Sequence, residues 1–185
     1  MLRLGLLAFA GAGLLFGQPS PGRELKGVIY WPAAELKRFS AALKAKEPAV
    51  HADRRSMNAF DYLGHRGNYT VLEGRRDESS VPEVHAGADD IFLIQDGEAT
   101  MLYGGVVEGA ARVQKGAMRG ARLAGAQSIR MNPGDVLIVP GDVPHQMIVE
   151  KGKWITFFTI KIESRQPGRP AAGSRLQPAS PKQKP

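Results

Sequence analysis

From residue 57 onward the sequence is a series of short apolar segments separated by turn residues. The segments are rich in β-branched and aromatic residues, and Gly, Pro and Asp lie between them. Strands that are this short and this numerous are typical of a β-sandwich or barrel. We therefore predict an all-β domain over residues 57–163. Its predicted strands are 69–73, 81–85, 91–95, 100–103, 126–131, 136–139, 146–149 and 154–162. The glycine-rich connection between 103 and 126 is predicted to be a loop.

Residues 23–56 form a predicted N-terminal extension that contains one helix, over residues 32–46. Pro32 suits the first turn of this helix, and the pair Glu47-Pro48 is expected to end it. Three apolar residues recur at spacings of three and four, which places them on one helical face: Leu36, Phe39 and Leu43. The helix is expected to pack on the outside of the β domain or to take part in a dimer contact.

The stretch 82–97 carries acidic and imidazole side chains on otherwise strand-like sequence. Glu83 and His85 are two residues apart, so on a strand both side chains point to the same face. Asp90 opens the next apolar run, and Asp96-Gly97 is a hairpin turn signal that closes it. By the same alternation, the residues that share a face with Asp90 are apolar.

A second stretch, 134–149, holds a predicted buried strand, a turn at residues 140–142 and then His145. If His145 points into a barrel, Met147 and Val149 point inward as well. The two stretches together would then form an apolar pocket with polar side chains at one end. Pockets of this composition are typical of small-molecule sites.

Written as spacings, the two stretches are Glu83-x-His85-x4-Asp90-x6-Gly97 and Gly134-x5-Pro140-x-Asp142-x2-His145. They resemble the two signature motifs of the cupin family, whose members are small double-stranded β-helix barrels that commonly hold a divalent metal between the motifs. The second motif matches closely and the first matches in spacing. Glu83 stands where the family has its first histidine, Asp90 where it has a glutamate, and Asp142 where it has a glycine. Asp tolerates the left-handed turn conformation that this last position requires.

The resemblance implies a double-stranded β-helix with one N-terminal flanking helix. It also implies a divalent metal held by Glu83, His85, Asp90 and His145. Two imidazoles and two carboxylates suit Fe, Mn, Zn or Ni, and the chain has no cysteine to select a softer ion. Other interpretations of these residues stay open: each histidine is a hydrogen-bonded core residue, and Asp90 caps a turn.

The function that we expect is a secreted single-domain cupin that acts on a small organic molecule, and the resemblance implies dioxygenase, isomerase or lyase chemistry. The alternative is a non-catalytic module that binds a small ligand or a metal in the same pocket. A storage or structural role is disfavoured, because carboxylates buried in an apolar barrel are costly without partners. The sequence contains no Gly-x-Ser-x-Gly elbow, which disfavours a serine hydrolase.

Residues 1–22 resemble a signal peptide, with Arg3 ahead of an apolar run at 4–16 and a polar break after it. The run is too short for an ordinary transmembrane helix. We expect a periplasmic or secreted protein with no stable membrane span after cleavage. An uncleaved N-terminal anchor is the alternative.

Residues 164–185 form a basic tail whose Pro, Ser and Gln content predicts disorder. The tail and Arg3 together account for six of the seven net positive charges of the chain. Residues 23–163 are therefore nearly neutral, which disfavours a nucleic-acid partner. The expected partners are a small-molecule substrate or ligand and, in a homodimer, a second copy of the chain.

Overall fold

The computed structural model describes residues 23–163, except for 26, 54–58 and 115. The predicted signal peptide, the predicted basic tail and the predicted start of the β domain at residue 57 lie outside the described residues. Within them, no helix is both long enough and apolar enough to cross a membrane.

The described residues form one helix, α1 (Ala33–Asp53), and fifteen strands. The strands are β1 (Arg23–Leu25), β2 (Val28–Tyr30), β3 (Ala59–Arg66), β4 (Tyr69–Arg76), β5 (Glu83–His85), β6 (Ala88–Gly97), β7 (Ala99–Tyr103), β8 (Val106–Glu108), β9 (Ala111–Gln114), β10 (Ala117–Arg119), β11 (Arg122–Ala124), β12 (Gln127–Met131), β13 (Val136–Val139), β14 (His145–Ile148) and β15 (Ile155–Glu163). Each of the eight strands predicted from the sequence overlaps one of these.

Two antiparallel sheets form the body of the domain. The first sheet has the order β13-β6-β15-β4-β3, and the second has the order β12-β7-β14-β5-β10-β9. From β4 to β7, and again from β12 to β15, the chain crosses from one sheet to the other after every strand. This alternation of eight strands between two sheets is a double-stranded β-helix, as the sequence predicted.

The space between the two sheets is filled by a core of ten buried apolar residues contributed by both. Phe92 and Ile94 lie in this core, on the same face of β6 as the buried Asp90. Met147 and Val149 also lie in the core, on the inward side to which the buried His145 points. The inward faces predicted from alternation are therefore confirmed. Packing is tight: a Cβ at Gly74 would lie 2.5 Å from the ring of Phe157.

Helix α1 packs on the outer face of the first sheet, against β3 and β4. Its side chains Phe39 and Leu43 are buried, which confirms the predicted apolar face. The predicted end of the helix is wrong, because α1 continues through Pro48 to Asp53. A proline inside a helix removes the one hydrogen bond that its own N–H would donate, and it can bend a helix without ending it.

Two further local predictions are corrected. The glycine-rich connection expected as a loop contains β8 to β11, in which β8 pairs with β11 and β9 with β10. These strands are short and mostly exposed, so they lack the buried alternation that marks a strand in sequence.

Asp96-Gly97 does not close a hairpin, because β6 and β7 belong to different sheets. This pair turns the chain from one sheet to the other, and Gly97 has a φ of 73°. A Cβ atom at Gly97 would lie 2.1 Å from the carbonyl oxygen of Trp154, so only glycine fits there. Asp142 adopts a φ of 67°, the left-handed conformation expected of it.

Candidate metal centre

The four predicted site residues meet at one place between the sheets. Glu83 and His85 lie on β5, Asp90 lies on β6, and His145 begins β14. Because β5 lies next to β14 in the second sheet, Glu83 is paired directly with His145. Asp90 approaches from the first sheet, so the site joins the two sheets and both sequence motifs.

The ring nitrogens of the two histidines face both carboxylates. His85 Nε2 lies 3.7 Å from Glu83 Oε1 and 3.5 Å from Asp90 Oδ2. His145 Nε2 lies 3.7 Å and 3.9 Å from the same two oxygens. The ring centroids are 5.5 Å apart. His145 and Asp90 are the deeper pair, with side chains 4% exposed, whereas those of His85 and Glu83 are 15% and 16% exposed.

The tautomer of His145 follows from its backbone contact. Nδ1 lies 3.0 Å from the carbonyl oxygen of Val143, which can only accept a hydrogen bond, so Nδ1 carries the proton and donates it. Burial lowers the pKa of His145, and this effect outweighs the Val143 contact and the nearby carboxylates that favour the charged form. The ring is therefore neutral, and its Nε2 lone pair points into the site with no hydrogen-bond partner.

Glu83 is an ionised carboxylate with two different neighbourhoods. Burial acts to raise its pKa, but the hydrogen bond and charge of His85, together with His145 and Arg76, outweigh burial and lower the pKa to about 2. One oxygen, Oε1, faces the histidines. The other, Oε2, lies 3.4 Å from Nε of Arg119, which is paired with Glu83 across β10 and β5.

Asp90 is arranged in a similar way. Its Oδ2 faces the histidines, and its Oδ1 forms an ion pair with Lys161 Nζ at 2.5 Å, made possible because β15 pairs the two residues directly. Asp90 does not cap the neighbouring turn. That contact belongs to Asp89, whose Oδ1 accepts a hydrogen bond of 2.7 Å from the backbone N–H of Gly141.

Comparison with known proteins found similarity only at the level of solved structures. No protein-family model matches the sequence, and no curated protein matches it. A protein with a double-stranded β-helix domain from Klebsiella pneumoniae is 13% identical, with a TM-score of 0.44 over 62% of this chain and 83% of that one. A cupin superfamily protein from Desulfitobacterium hafniense is 18% identical, with a TM-score of 0.42 over 60% and 82%. Hydroquinone 1,2-dioxygenase from Sphingomonas sp. TTNP3 is 18% identical, with a TM-score of 0.41 over 56% and 64%.

The alternating strand order and the meeting of the two motifs at Glu83 and His145 decide the fold. The fold is a double-stranded β-helix. What the three similar proteins bind or catalyse does not carry over to this chain at these identities and scores.

The donor set between the two sheets fits a divalent metal ion. Ligand atoms of Glu83, His85 and His145 all lie within 4.8 Å of one another. Two ligands that are each ~2.1 Å from one ion lie ~3.0–3.4 Å apart at tetrahedral or octahedral angles. The distances from the two ring nitrogens to the Glu83 and Asp90 oxygens, 3.5–3.9 Å, need to close by only a fraction of an ångström. Asp90 stands beside this group of three with Oδ2 directed at both rings.

His65 and two tyrosines of the predicted strands do not join the site. His65 is exposed and contacts Thr70 Oγ1 at 3.0 Å. Tyr103 donates a hydrogen bond to Gln127, and Tyr69 packs on the outer face of the first sheet. The side chain of His51, on α1, lies outside the described residues.

Three cations of the site were not predicted from the sequence as part of it. The sequence placed Lys161 on a strand but not on one of its faces. No pattern in the sequence connected Arg76 or Arg119 with the site. Arg119 lies in the connection expected to be a loop, so only its pairing with Glu83 reveals it.

Two grooves of ≈590 and ≈710 Å³ lie on the outside of the first sheet, and no member of the metal cluster lines either one.

Proposed function

We propose that this chain is a single-domain cupin that binds one divalent metal ion through Glu83, His85 and His145, with Asp90 as the fourth candidate ligand, and that it acts on a small organic molecule. The observation that carries the proposal is the Nε2 atom of His145. It is buried, unprotonated and without a hydrogen-bond partner, and it lies among two carboxylates and a second imidazole. Burial of such an acceptor without a partner is costly, and a metal ion would satisfy it.

Each residue of the site would have a separate role. When bound, the metal supplies a Lewis acid to a substrate oxygen. Glu83 remains ionised over the neutral range and is available as a ligand. Val143 holds the His145 ring in the tautomer that presents Nε2. Arg119 and Lys161 orient the two carboxylates by pairing with their outer oxygens.

The reaction class that we propose is dioxygenase, isomerase or lyase chemistry, with Fe, Mn, Zn or Ni as the ion. Two imidazoles and one carboxylate leave coordination positions open for a substrate, as in non-haem Fe(II) enzymes. A non-catalytic binding module is the second candidate. It is favoured by the packed core of ten buried residues that fills the barrel interior and narrows the room for a reacting molecule.

The test is metal analysis of the purified protein by mass spectrometry. The parent is expected to hold close to one ion per chain, and His145→Ala and His85→Ala are expected to hold none. His65→Ala is the matched control, because His65 is exposed and lies outside the cluster. Glu83→Gln keeps the shape of the side chain and removes its charge, so it is expected to weaken metal binding strongly. A parent that binds none of the four ions would contradict the proposal.

We further propose export to the periplasm or the medium. Arg3, the apolar run at 4–16 and the polar break that follows support it. Expressed with its full sequence in a Gram-negative host, the protein is expected in the periplasmic fraction, shortened by roughly twenty residues. Full-length protein in the cytoplasm would contradict export, and it would leave the metal site untouched.

A further inference from the structure

Thr159 carries a buried hydroxyl whose hydrogen-bonding capacity the described residues leave unused. The residue lies on β15 and is 4% exposed. Its Oγ1 atom forms no hydrogen bond with any residue of the described part of the chain. Burial of a hydroxyl without a partner is costly, and a valine would fill the same space without that cost. The hydroxyl therefore calls for a polar partner that the described residues do not supply.

Thr159 lies next to the metal cluster, one layer further into the barrel. Alternation along β15 places Phe157, Thr159 and Lys161 on the inward face, where Phe157 belongs to the core and Lys161 reaches the cluster. Lys161 is paired in register with Asp90 on β6. Thr159 is paired with Phe92, two residues further along β6. Two residues of a strand span about 6.5–7 Å, so the Thr159 hydroxyl lies roughly one such step inward from the cluster.

The neighbours of Thr159 in this layer are apolar. Phe92 is buried in the core on the first sheet, and Met147 is buried in it on the second sheet, two residues after His145. Methionine side chains are unbranched and flexible, so Met147 can repack around a molecule that enters this layer. Among these three neighbouring side chains, only Thr159 offers a hydrogen-bonding group to a molecule that extends inward from the metal.

We propose that Thr159 is a specificity residue of the metal site. Its substrate would be a short chain with a metal-binding oxygen at one end and a hydrogen-bonding group at the other. The inference rests on the proposed metal site and names the kind of substrate that it takes. The strand spacing of about 6.5–7 Å sets the separation of the two polar ends, which corresponds to a chain of about four carbon atoms. A threonine hydroxyl both donates and accepts, so a hydroxyl or a carbonyl at the far end would suit it.

The experiment uses full-length protein loaded with Co(II), whose visible absorption changes when a ligand binds to the metal. The probes are 4-hydroxybutanoate and pentanoate, which have the same charge and length and differ only in a terminal hydroxyl or methyl group. The parent is expected to bind 4-hydroxybutanoate about tenfold more tightly, because only this probe gives Thr159 a partner. Thr159→Val keeps the shape and removes the hydroxyl, so it is expected to lose this preference. Thr159→Ser keeps the hydroxyl and is expected to retain most of it.

Thr156→Val is the matched control. Thr156 is a buried threonine of the same strand, and its hydroxyl already accepts a hydrogen bond of 3.3 Å from Arg75. This variant is expected to keep the preference of the parent. Cobalt stoichiometry is measured for every variant, so that a change in the preference is separated from a loss of metal.

Two results would overturn the inference and leave the metal site standing. One is a cobalt-loaded parent that does not bind 4-hydroxybutanoate more tightly than pentanoate. The other is an undiminished preference in cobalt-loaded Thr159→Val. Failure of the parent to bind cobalt would overturn the metal site and the inference with it.

Discussion

Replacing Glu73 by Gln is expected to stabilise the protein at neutral pH and to remove part of its pH dependence. Glu73 lies on β4 beneath α1, with no exposed surface. Its Oε1 is 3.0 Å from the hydroxyl of Ser40 on α1, and its Oε2 accepts a hydrogen bond of 3.2 Å from Gln95. Ser40 also lies 3.2 Å from the side-chain oxygen of Gln95, so the three side chains form a closed ring.

Every hydrogen bond of this ring of three side chains can be formed when Glu73 is protonated. Ser40 has a single proton to donate, so an ionised Glu73 and the oxygen of Gln95 must compete for it. If Glu73 is protonated, it donates to Ser40, Ser40 donates to Gln95, and Gln95 donates back to Glu73. Asp61 is paired with Glu73 across β3 and β4, and it forms an ion pair with Lys46.

The magnitude follows from the pKa of Glu73. Burial raises this pKa from 4.5 to about 8, the hydrogen bonds of Ser40 and Gln95 act to lower it, and Asp61 acts to raise it. Because the folded pKa is the higher one, the stabilising contribution is complete below pH 4.5 and is lost as pH rises toward 8. One pH unit above the unfolded pKa is equivalent to about 1.4 kcal/mol. At pH 7, binding this proton on folding therefore lowers the free energy of unfolding by on the order of 3 kcal/mol.

A glutamine reproduces the protonated ring without taking up a proton. Glu73→Gln is therefore expected to exceed the parent in free energy of unfolding by on the order of 3 kcal/mol at pH 7, and by little at pH 4. Urea unfolding, followed by tryptophan fluorescence at a series of pH values, measures the difference. Glu163→Gln is the control, since Glu163 is an exposed glutamate at the end of β15. A Glu73→Gln protein less stable than the parent at pH 7, or a difference that does not grow from pH 4 to 7, would refute the reasoning.

Other predictions concern the core, the metal and the tail. Gly74→Ala is expected to cost about 1–3 kcal/mol, because its new methyl group meets the ring of Phe157, and Phe157→Leu in the same chain should recover part of the loss in urea unfolding. Leu43→Ala, which empties a fully buried position between α1 and the sheet, is expected to cost about 2–5 kcal/mol by the same assay. A chelator should lower the melting temperature of the metal-loaded parent and not that of His145→Ala. Deletion of residues 164–185 should leave the melting temperature almost unchanged, and a fall of several degrees would show that the tail packs on the barrel.

The eight barrel strands and the inward faces of β6 and β14 could be predicted from the sequence. Alternation along a strand is a local property, so Asp90 with Phe92, and His145 with Met147, are assigned to one side by counting residues alone. The left-handed turn at Asp142 was likewise predictable, because it depends on the conformational range of one residue. The motif spacings, through their resemblance to the cupin motifs, grouped the four candidate ligands into one site.

Only the tertiary structure decided which strands lie side by side. β6 pairs with β13 and β15 and not with β7, which follows it in sequence, so the turn signal at Asp96-Gly97 could not reveal its neighbours. The partners of the two site carboxylates, Arg119 and Lys161, depend on the registers of those distant pairings. The environment of Glu73 also depends on distant parts of the chain. Its hydrogen bond with Ser40 joins residues 33 positions apart, and Glu73 is buried because α1 covers that face of the sheet. The cost of burying a charge depends on what covers it, and that covering comes from parts of the chain that no local pattern specifies.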